Sequence, residues 1–226
     1  MKTEEIMEYL EATPQFFEQC ADRLAEIFVP HPHGGRAISL SERQMLTLRD
    51  KNRRLEHRLS ELLTFGEEND VISEKMHRLS VGLAAVETFP AALHLINLHL
   101  RDDFAIPRVA LRLWRRPGEA VDLPEFAAVS ADLQDFAERL EKPYCGASAN
   151  LGDATGVATS AWFGAYAPHI RSQALVALRN GGGAIGLLAL GSEDAERFYN
   201  GMGTLYLERL GEIISAALGR VTHSAL

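Results

Sequence analysis

The chain has few cysteines, no long apolar run and no excess of positive charge. Its two cysteines, Cys20 and Cys145, lie far apart among 226 residues, so we expect no disulfide framework and a reducing compartment. Twenty-three Lys and Arg residues against 31 Asp and Glu residues give a net charge of −8, which disfavours non-specific binding to nucleic acids and anionic membranes. The chain starts MKTEEIMEYLEATPQ, without the basic start and apolar run of a signal peptide, and no apolar segment reaches the ~20 residues that span a bilayer. We therefore expect a cytoplasmic protein without membrane contact.

The common catalytic and cofactor motifs are also missing. The run from Gly181 to Gly186 satisfies G-x-G-x-x-G, but it joins two predicted strands instead of opening a helix, so we interpret it as a turn. No G-x-S-x-G nucleophile elbow occurs. His31 and His33 form the one tight histidine pair, with no further ligand beside it. We predict no catalytic residue and no metal site, the cofactor stays unknown, and an enzyme is the least favoured class.

Residues 1–36 are predicted to form a small helical head. Apolar residues recur at helical spacing from Ile6 to Ile27, with a break at Thr13-Pro14. The run VPHPHGGR at residues 29–36 is rich in Pro and Gly, so we expect it to be an irregular break between the head and the next element.

Residues 39–87 are predicted to form one long coiled-coil helix, because no proline interrupts them. Thirteen positions from Met45 to Val86 follow one another at steps of three and four, and eleven are apolar while two are Asn. This is the heptad seam of a coiled coil. A chain of this size cannot bury a helix about 69 Å long along its whole length, so the seam predicts a parallel homodimer. The predicted dimerisation residues are Leu48, Asn52, Leu55, Leu59, Leu62, Phe65, Asn69, Ile72, Met76, Leu79 and Leu83.

The seam leaves two interpretations open. The alternative to a dimer is an amphipathic helix folded back on its own domain. At Phe65, beside Gly66, one step of three replaces a step of four, and such a stammer overwinds a coiled coil. It is either an imperfect repeat without consequence or a pliable point in a signalling rod.

A basic group precedes the middle of this helix. It resembles the basic region of a DNA-binding zipper, but the seam continues through it, and Asp50 and Glu56 dilute its charge. A solvated helix surface is therefore the preferred interpretation, and DNA contact is the alternative. The group comprises Arg49, Lys51, Arg53, Arg54 and Arg58.

Residues 88–226 are predicted to form an α+β domain with an antiparallel sheet. The hairpin of strands 172–179 and 184–190 is the clearest element, because Asn180-Gly-Gly-Gly183 is a strong turn signal. The other predicted elements are a helix at 91–101, a strand at 108–115, a turn at Pro117-Gly118, a weaker strand within 120–130, a helix at 131–141, a lid or loop at 144–169 and a final helix from residues 193–194.

This order and the C-terminal sequence resemble a GAF domain. The N-terminal half resembles domain-of-unknown-function family 484, a bacterial family that joins a helical N-terminus to a GAF-like domain. The motifs that carry this resemblance are YL at 9–10, P-x-FF at 14–17, PH at 30–31 and SL-x-ERQ at 39–44. The resemblance covers nearly the whole chain. It implies an α+β fold with a GAF-like antiparallel sheet flanked by helices, preceded by a long coiled-coil helix and a small helical head. It implies a regulatory role but no particular ligand, because GAF domains bind cyclic nucleotides, tetrapyrroles or small metabolites, and some bind nothing.

We therefore expect a non-enzymatic regulatory or sensor protein, whose GAF-like domain holds a small ligand and whose dimeric coiled coil takes part in signal transduction. Arg112 is expected to meet an anionic ligand, and ordinary core packing is the alternative for the aromatic residues. Two other hypotheses stay open: a ligand-free scaffold that recruits a protein partner, and a DNA-associated adaptor. The candidate pocket residues are Arg112, Trp114, Phe126, Tyr144, Cys145, Trp162, Phe163 and Tyr166.

Overall fold

The computed structural model describes residues 2–31, 34–114, 123–155 and 159–223. The chain divides into two compact units, Met1–Glu67 and Glu68–Leu226, and we call the second the sheet domain. The predicted turn at Pro117-Gly118 and His33 of the histidine pair lie outside the described residues.

Three short helices begin the first unit, as the apolar spacing predicts. They are α1 (Thr3–Ala12), α2 (Gln15–Gln19) and α3 (Ala21–Ala25). The backbone N–H of Lys2 donates to the carboxylate of Glu5 at 2.9 Å, which fixes the start of α1. Pro14 separates α1 from α2, since proline is tolerated at a helix start and not in its interior.

The Pro- and Gly-rich run after the head is not an irregular break. Strands β1 (Phe28–His31) and β2 (Gly34–Ser39) pair antiparallel, and Phe28 lies opposite Ser39. Pro30 lies within β1, opposite Ala37, and Gly34 and Gly35 begin β2, so these breaker residues are part of the hairpin. The hairpin thus brings the end of the head to the start of the next helix.

Helix α4 (Leu40–Ala85) confirms the predicted single long helix of 46 residues. Its seam changes character along its length. The apolar seam residues from Leu48 to Phe65 are between 57% and 66% exposed, and Asn52 and Asn69 are exposed too. Met76, Leu79 and Leu83 are at most 7% exposed, and the partly buried Ile72 packs against the same cluster.

The change follows the stammer at Phe65 and the unit boundary after Glu67. From Ile72 onward the stripe belongs to the core of its own domain, which is the alternative interpretation of the seam. Met76, Leu79 and Leu83 are therefore not available to a second chain, and the predicted dimer seam is reduced to the exposed residues from Leu48 to Asn69. Within the described ranges, no helix combines the length and apolar character needed to cross a membrane.

The sheet domain contains one four-stranded antiparallel sheet of order β3-β6-β5-β4, which confirms the α+β class. Short irregular helices lie between the main elements: a π-helical turn at His99–Asp103, a 3-10 turn at Pro124–Phe126 and a 3-10 segment at Thr159–His169. The main elements are α5 (Phe89–Leu98), β3 (Arg108–Leu113), α6 (Ala131–Arg139), β4 (Tyr144–Ala147), α7 (Ser148–Thr155), β5 (Ser172–Asn180), β6 (Gly183–Ser192) and α8 (Leu205–His223).

Three predicted elements of this domain differ from the structure. The weak strand at 120–130 is a 3-10 turn in its described part, because Pro124 cannot donate to a sheet ladder. The lid at 144–169 contains β4, α7 and the 3-10 segment. The last helix begins at Leu205 instead of residues 193–194, since Gly201 adopts φ of 90° just before it and ends any earlier helix.

Both faces of the sheet are covered. The inner face packs against α5, α8 and the C-terminal part of α4, with Leu188 and Leu190 of β6 in the same core. The outer face packs against α6 and the 3-10 segment, with Leu187 and Ala189 in a second, smaller core. Alternate residues of β3 therefore face different cores.

Candidate functional site

The outer face of edge strand β3 carries a half-buried arginine. The guanidinium carbon of Arg112 lies 5.1 Å from the centre of the Trp162 ring. Its Nη1 donates to the carbonyl of Leu111 at 2.9 Å, and among the described residues Nε and Nη2 make no hydrogen bond. Burial lowers the pKa of Arg112 from its ordinary value, and the negative charge of Glu125 partly opposes this.

A second arginine on β3 has a similar neighbour. The guanidinium carbon of Arg108 lies 3.4 Å from the centre of the Tyr166 ring, and Nη2 donates to the carboxylate of Glu193 at 3.3 Å. Arg108 and Arg112 are four residues apart on one strand, which separates them by about 13 Å. Arg108 is thus already paired with an acid, whereas Arg112 has no carboxylate within 4 Å in the described part of the chain.

The remaining groups around Arg112 hold their positions through packing and hydrogen bonds. The indole Nε1 of Trp114 donates to the carbonyl of Ala184 at 2.6 Å. Phe163 packs on Gly191 of β6, where an added Cβ would lie 2.9 Å from the Phe163 ring. Only glycine leaves room for this ring, so Gly191 sets the position of the segment that also carries Trp162.

A buried polar chain anchors the same segment, and sequence analysis did not identify it. The hydroxyl of Thr159 donates to Oε1 of Gln173 at 2.9 Å, and Nε2 of Gln173 donates to the hydroxyl of Ser148 at 2.6 Å. Thr159 and Gln173 are fully buried. These hydrogen bonds connect the 3-10 segment and the start of α7 to β5. An isolated Gln within an apolar strand was the one signal in the sequence.

The centre of the outer face is closed. Leu133 and Ala137 of α6 and Phe163 pack there against Leu175 and Leu187 of the sheet, and all of them are buried. This packing occupies the space between the sheet and its cover, where a ligand was predicted. Phe163 is therefore a core residue.

The other predicted pocket residues lie elsewhere. Tyr144 is on β4, three strands from Arg112 in the sheet order and thus at least about 14 Å away, with the closed centre between them. Cys145 and Phe126 belong to the inner core, where Phe126 stacks on Phe89 at 5.4 Å. The structure thus brings Arg112, Trp114 and Trp162 together, with Tyr166 on the neighbouring arginine, and does not bring Tyr144, Cys145 or Phe126 to them.

A cleft of about 410 Å³ opens between α8 and the loop that precedes β4, and no predicted pocket residue lines it. Its rim carries Glu141, Glu208 and Glu212. The guanidinium of Arg179, also at the rim, is held by Glu138 and by carbonyls at the end of α6, among them Ala137 at 2.9 Å. The lining holds three acids, Glu141, Glu208 and Glu212, against two bases, Lys142 and Arg179, so its formal charge of −1 does not favour an anion. In the described residues no group of three His, Cys, Asp or Glu side chains converges to hold a metal ion.

The family described as "Protein of unknown function, DUF484" matches residues 1–223. The chain is similar to the X-ray structure of free methionine-R-sulfoxide reductase from Neisseria meningitidis in complex with its substrate, with 19% identity, 69% of this chain and 92% of that chain covered, and a TM-score of 0.46. It is also similar to the A. aeolicus NLH2 GAF domain in an inactive state, with 10% identity, 67% and 97% covered, and a TM-score of 0.47. No curated protein matches the chain. At these identities neither structure assigns a reaction or a ligand to this chain.

Proposed function

The chain belongs to DUF484, a family of proteins of unknown function, and we propose that it is a non-enzymatic regulatory protein that works as a homodimer and binds a small anion at Arg112. The observation that carries the anion site is the environment of this side chain. Arg112 is half-buried on Trp162, and among the described residues it has no carboxylate within 4 Å. Glu125 compensates the burial of this charge only in part, so the charge remains costly, and a bound anion removes more of that cost.

The two remaining donors of Arg112 define the ligand chemistry. Nε and one Nη of a guanidinium match the two oxygens of a carboxylate or phosphate. The adjacent Trp162 is itself only partly buried, so its exposed ring area is available to a flat ligand. These features favour a planar molecule with a carboxylate or phosphate group.

The packing of β3 supports a regulatory role. Leu111 and Leu113, on either side of Arg112 in the strand, face the inner core. Leu79 and Leu83 of the long helix belong to the same core. A change in β3 on ligand binding can therefore be passed to α4 through the core that both elements share, and α4 carries the exposed seam proposed to form the dimer.

The environment of Cys145 supports the non-enzymatic part of the proposal. This side chain is buried in the inner core, and burial raises the pKa of its thiol to about 11. The thiol is therefore protonated at neutral pH, and a protonated, inaccessible thiol is a poor nucleophile.

Thermal unfolding with defined anions tests the site. We expect at least one of inorganic phosphate, citrate, benzoate and adenosine monophosphate to raise the Tm of the wild type and to leave the Tm of Arg112→Gln unchanged. Arg101→Gln, an exposed arginine of the same domain, is the matched control and keeps the shift. A shift that persists in Arg112→Gln, or no shift with any of the four anions, contradicts the anion site.

A ligand-free interaction scaffold is the second candidate, and the closed centre of the outer face favours it. Leu133, Ala137 and Phe163 fill the space in which a ligand of this fold was expected. Native mass spectrometry of the protein purified from its own host separates the two candidates. The anion-binding function predicts a retained small molecule that is lost in Arg112→Gln, whereas the scaffold predicts the bare polypeptide in both.

A further inference from the structure

Helix α1 exposes an apolar side chain next to its acidic residues. Met7 is 55% exposed, and no residue of α1 is buried. A helix of ten residues is marginally stable in water by itself. The exposed seam of α4, including Leu55, is an apolar surface in the same unit. Within one chain α1 makes no extended contact with α4, so neither surface covers the other.

The two helices carry opposite charges at matching spacing. On α1, Glu11, Glu8 and Glu4 follow one another at steps of three and four and share one face. On α4, the steps between successive cations are also three and four, in the opposite chain direction. These cations are Lys51, Arg54 and Arg58, and all six side chains are exposed.

The three cations are available for such a contact. In the described ranges none of them has a carboxylate within 4 Å, and Arg54 bonds only to the carbonyl of Asp50 at 3.3 Å. An antiparallel arrangement pairs all six charges, and the same register places Met7 beside Leu55, at the edge of the dimer seam. Each exposed ion pair is worth little by itself, so the charges set the register while apolar burial supplies affinity. The pairs are Glu11 with Lys51, Glu8 with Arg54 and Glu4 with Arg58.

The chain path allows this arrangement. The β1–β2 hairpin pairs Phe28 with Ser39, so the head ends beside the start of α4. From Leu40 to Lys51 α4 rises about 16 Å, and the chain between Glu11 and Phe28, with the two short helices α2 and α3, is long enough to bridge this distance. In a parallel dimer the two α4 starts lie side by side, so each head is also near the second copy.

From these observations we propose that α1 of one chain packs antiparallel on α4 of a second copy, along Lys51, Arg54 and Arg58. This inference rests on the homodimer of the proposed function. In this arrangement the basic group of α4 binds the acidic face of α1 instead of nucleic acid. It also makes the head part of the dimer interface, so that release of the head exposes a basic, apolar helix surface.

Disulfide trapping between two differently tagged full-length chains tests the contact. One chain carries Glu8→Cys and the other Arg54→Cys, both in a Cys20→Ser background, while the buried Cys145 stays in place. We expect an interchain disulfide under mild oxidation. The matched control replaces Arg54→Cys by Glu61→Cys, one heptad further and about 10 Å away, and gives at least tenfold less product.

Charge reversal tests the register in the same assay. Lys51→Glu with Arg58→Glu is expected to slow trapping at least tenfold, and the addition of Glu4→Lys with Glu11→Lys in the other chain to restore it. A third sample tests for contact within one chain. Here a chain that carries both new cysteines is mixed with an excess of a chain that carries neither, so that a disulfide between two chains becomes rare. A disulfide that still forms, within the chain that carries both cysteines, overturns the proposal.

Sedimentation of the same samples separates the two levels of failure. A dimer that lacks the disulfide between the cysteines introduced at positions 8 and 54 overturns the head contact and leaves the homodimer intact. A monomer contradicts the homodimer itself. Duplex DNA that binds the wild type and not Lys51→Glu/Arg54→Glu/Arg58→Glu also overturns the proposal, since nucleic acid then covers the basic group.

Discussion

The hydroxyl of Ser215 in α8 accepts a hydrogen bond from the backbone N–H of Arg179 in β5 at 2.9 Å. The bond lies beyond the end of β4, which pairs only with Ser172–Leu175. Gly211, one helical turn before Ser215, allows the approach, because an added Cβ there would lie 2.6 Å from Cγ1 of Val176. Helix α8 thus supplies a hydrogen-bond acceptor to the part of β5 that extends beyond the end of β4.

The Ser215→Ala substitution is expected to lower the free energy of unfolding by about 1 kcal/mol. It leaves the partly buried N–H of Arg179 without this partner. Urea denaturation measures the change. Ala216→Ser, the exposed neighbouring position, is the control and is expected to be neutral. Equal stability of Ser215→Ala and the wild type would show that the bond contributes nothing.

The same substitution at two positions of α4 separates its two roles. Leu79→Ala is expected to destabilise the sheet domain by about 2–5 kcal/mol, because it opens a cavity at a fully buried position. Leu55→Ala, at an exposed position, is expected to leave that stability unchanged and to weaken dimer formation. Denaturation of the full chain and sedimentation equilibrium provide the two readouts. A dimer that weakens with Leu79→Ala and not with Leu55→Ala would reverse the assignment.

Substitution of Gly191 tests the position of the segment that carries Trp162. In Gly191→Ala the added methyl group would lie 2.9 Å from the Phe163 ring, so the segment must shift, at a cost of about 1–3 kcal/mol. Gly203→Ala, whose Cβ would meet nothing within 4 Å, is the control. Thermal unfolding measures both, and the intrinsic tryptophan fluorescence in a Trp114→Phe background reports the displacement of Trp162. A neutral Gly191→Ala with unchanged fluorescence argues against this packing.

Cys145 gives a pH-dependent prediction. The pKa of its thiol is about 11 in the folded protein and 9.0 ordinarily. As the pH rises, the thiol therefore loses its proton at a lower pH in the unfolded chain than in the folded one. The stability associated with this thiol is complete below pH 9.0 and is lost as the pH rises towards about 11. Denaturation of wild type and Cys145→Ala over this range measures the effect. The difference in stability between them is expected to move in favour of Cys145→Ala with rising pH, and a constant difference excludes the shift.

The local sequence was enough to predict the elements with strong signals of their own. Helix α4 contains no proline, and its apolar residues recur at steps of three and four along its length. The β5–β6 hairpin has a glycine-rich turn between two apolar strands. The short strand β4 has no such signal, because Tyr144 to Ala147 contains two small residues and forms a strand only through pairing with β5. The acidic residues at 193–194 resemble a helix start and predict one there, but the left-handed Gly201 interrupts any such helix, and α8 begins at Leu205.

The site was predictable only in part. The alternation along β3 places Arg112 and Trp114 on one face, which the structure confirms. The sequence could not show that β6 and β5 separate Arg112 from Tyr144, since strand order depends on long-range pairing. The burial of Met76 and Leu79 was equally hidden, because heptad spacing looks the same whether a stripe faces a second chain or its own domain.

Sedimentation equilibrium of the full chain at micromolar concentration tests the paired helix most directly. The account predicts a species of twice the 24.9 kDa chain mass, which dissociates in Leu48→Asp/Leu55→Asp while the sheet domain stays folded by circular dichroism. A wild-type species of single-chain mass, or a dimer that is unaffected by these two substitutions, would contradict it.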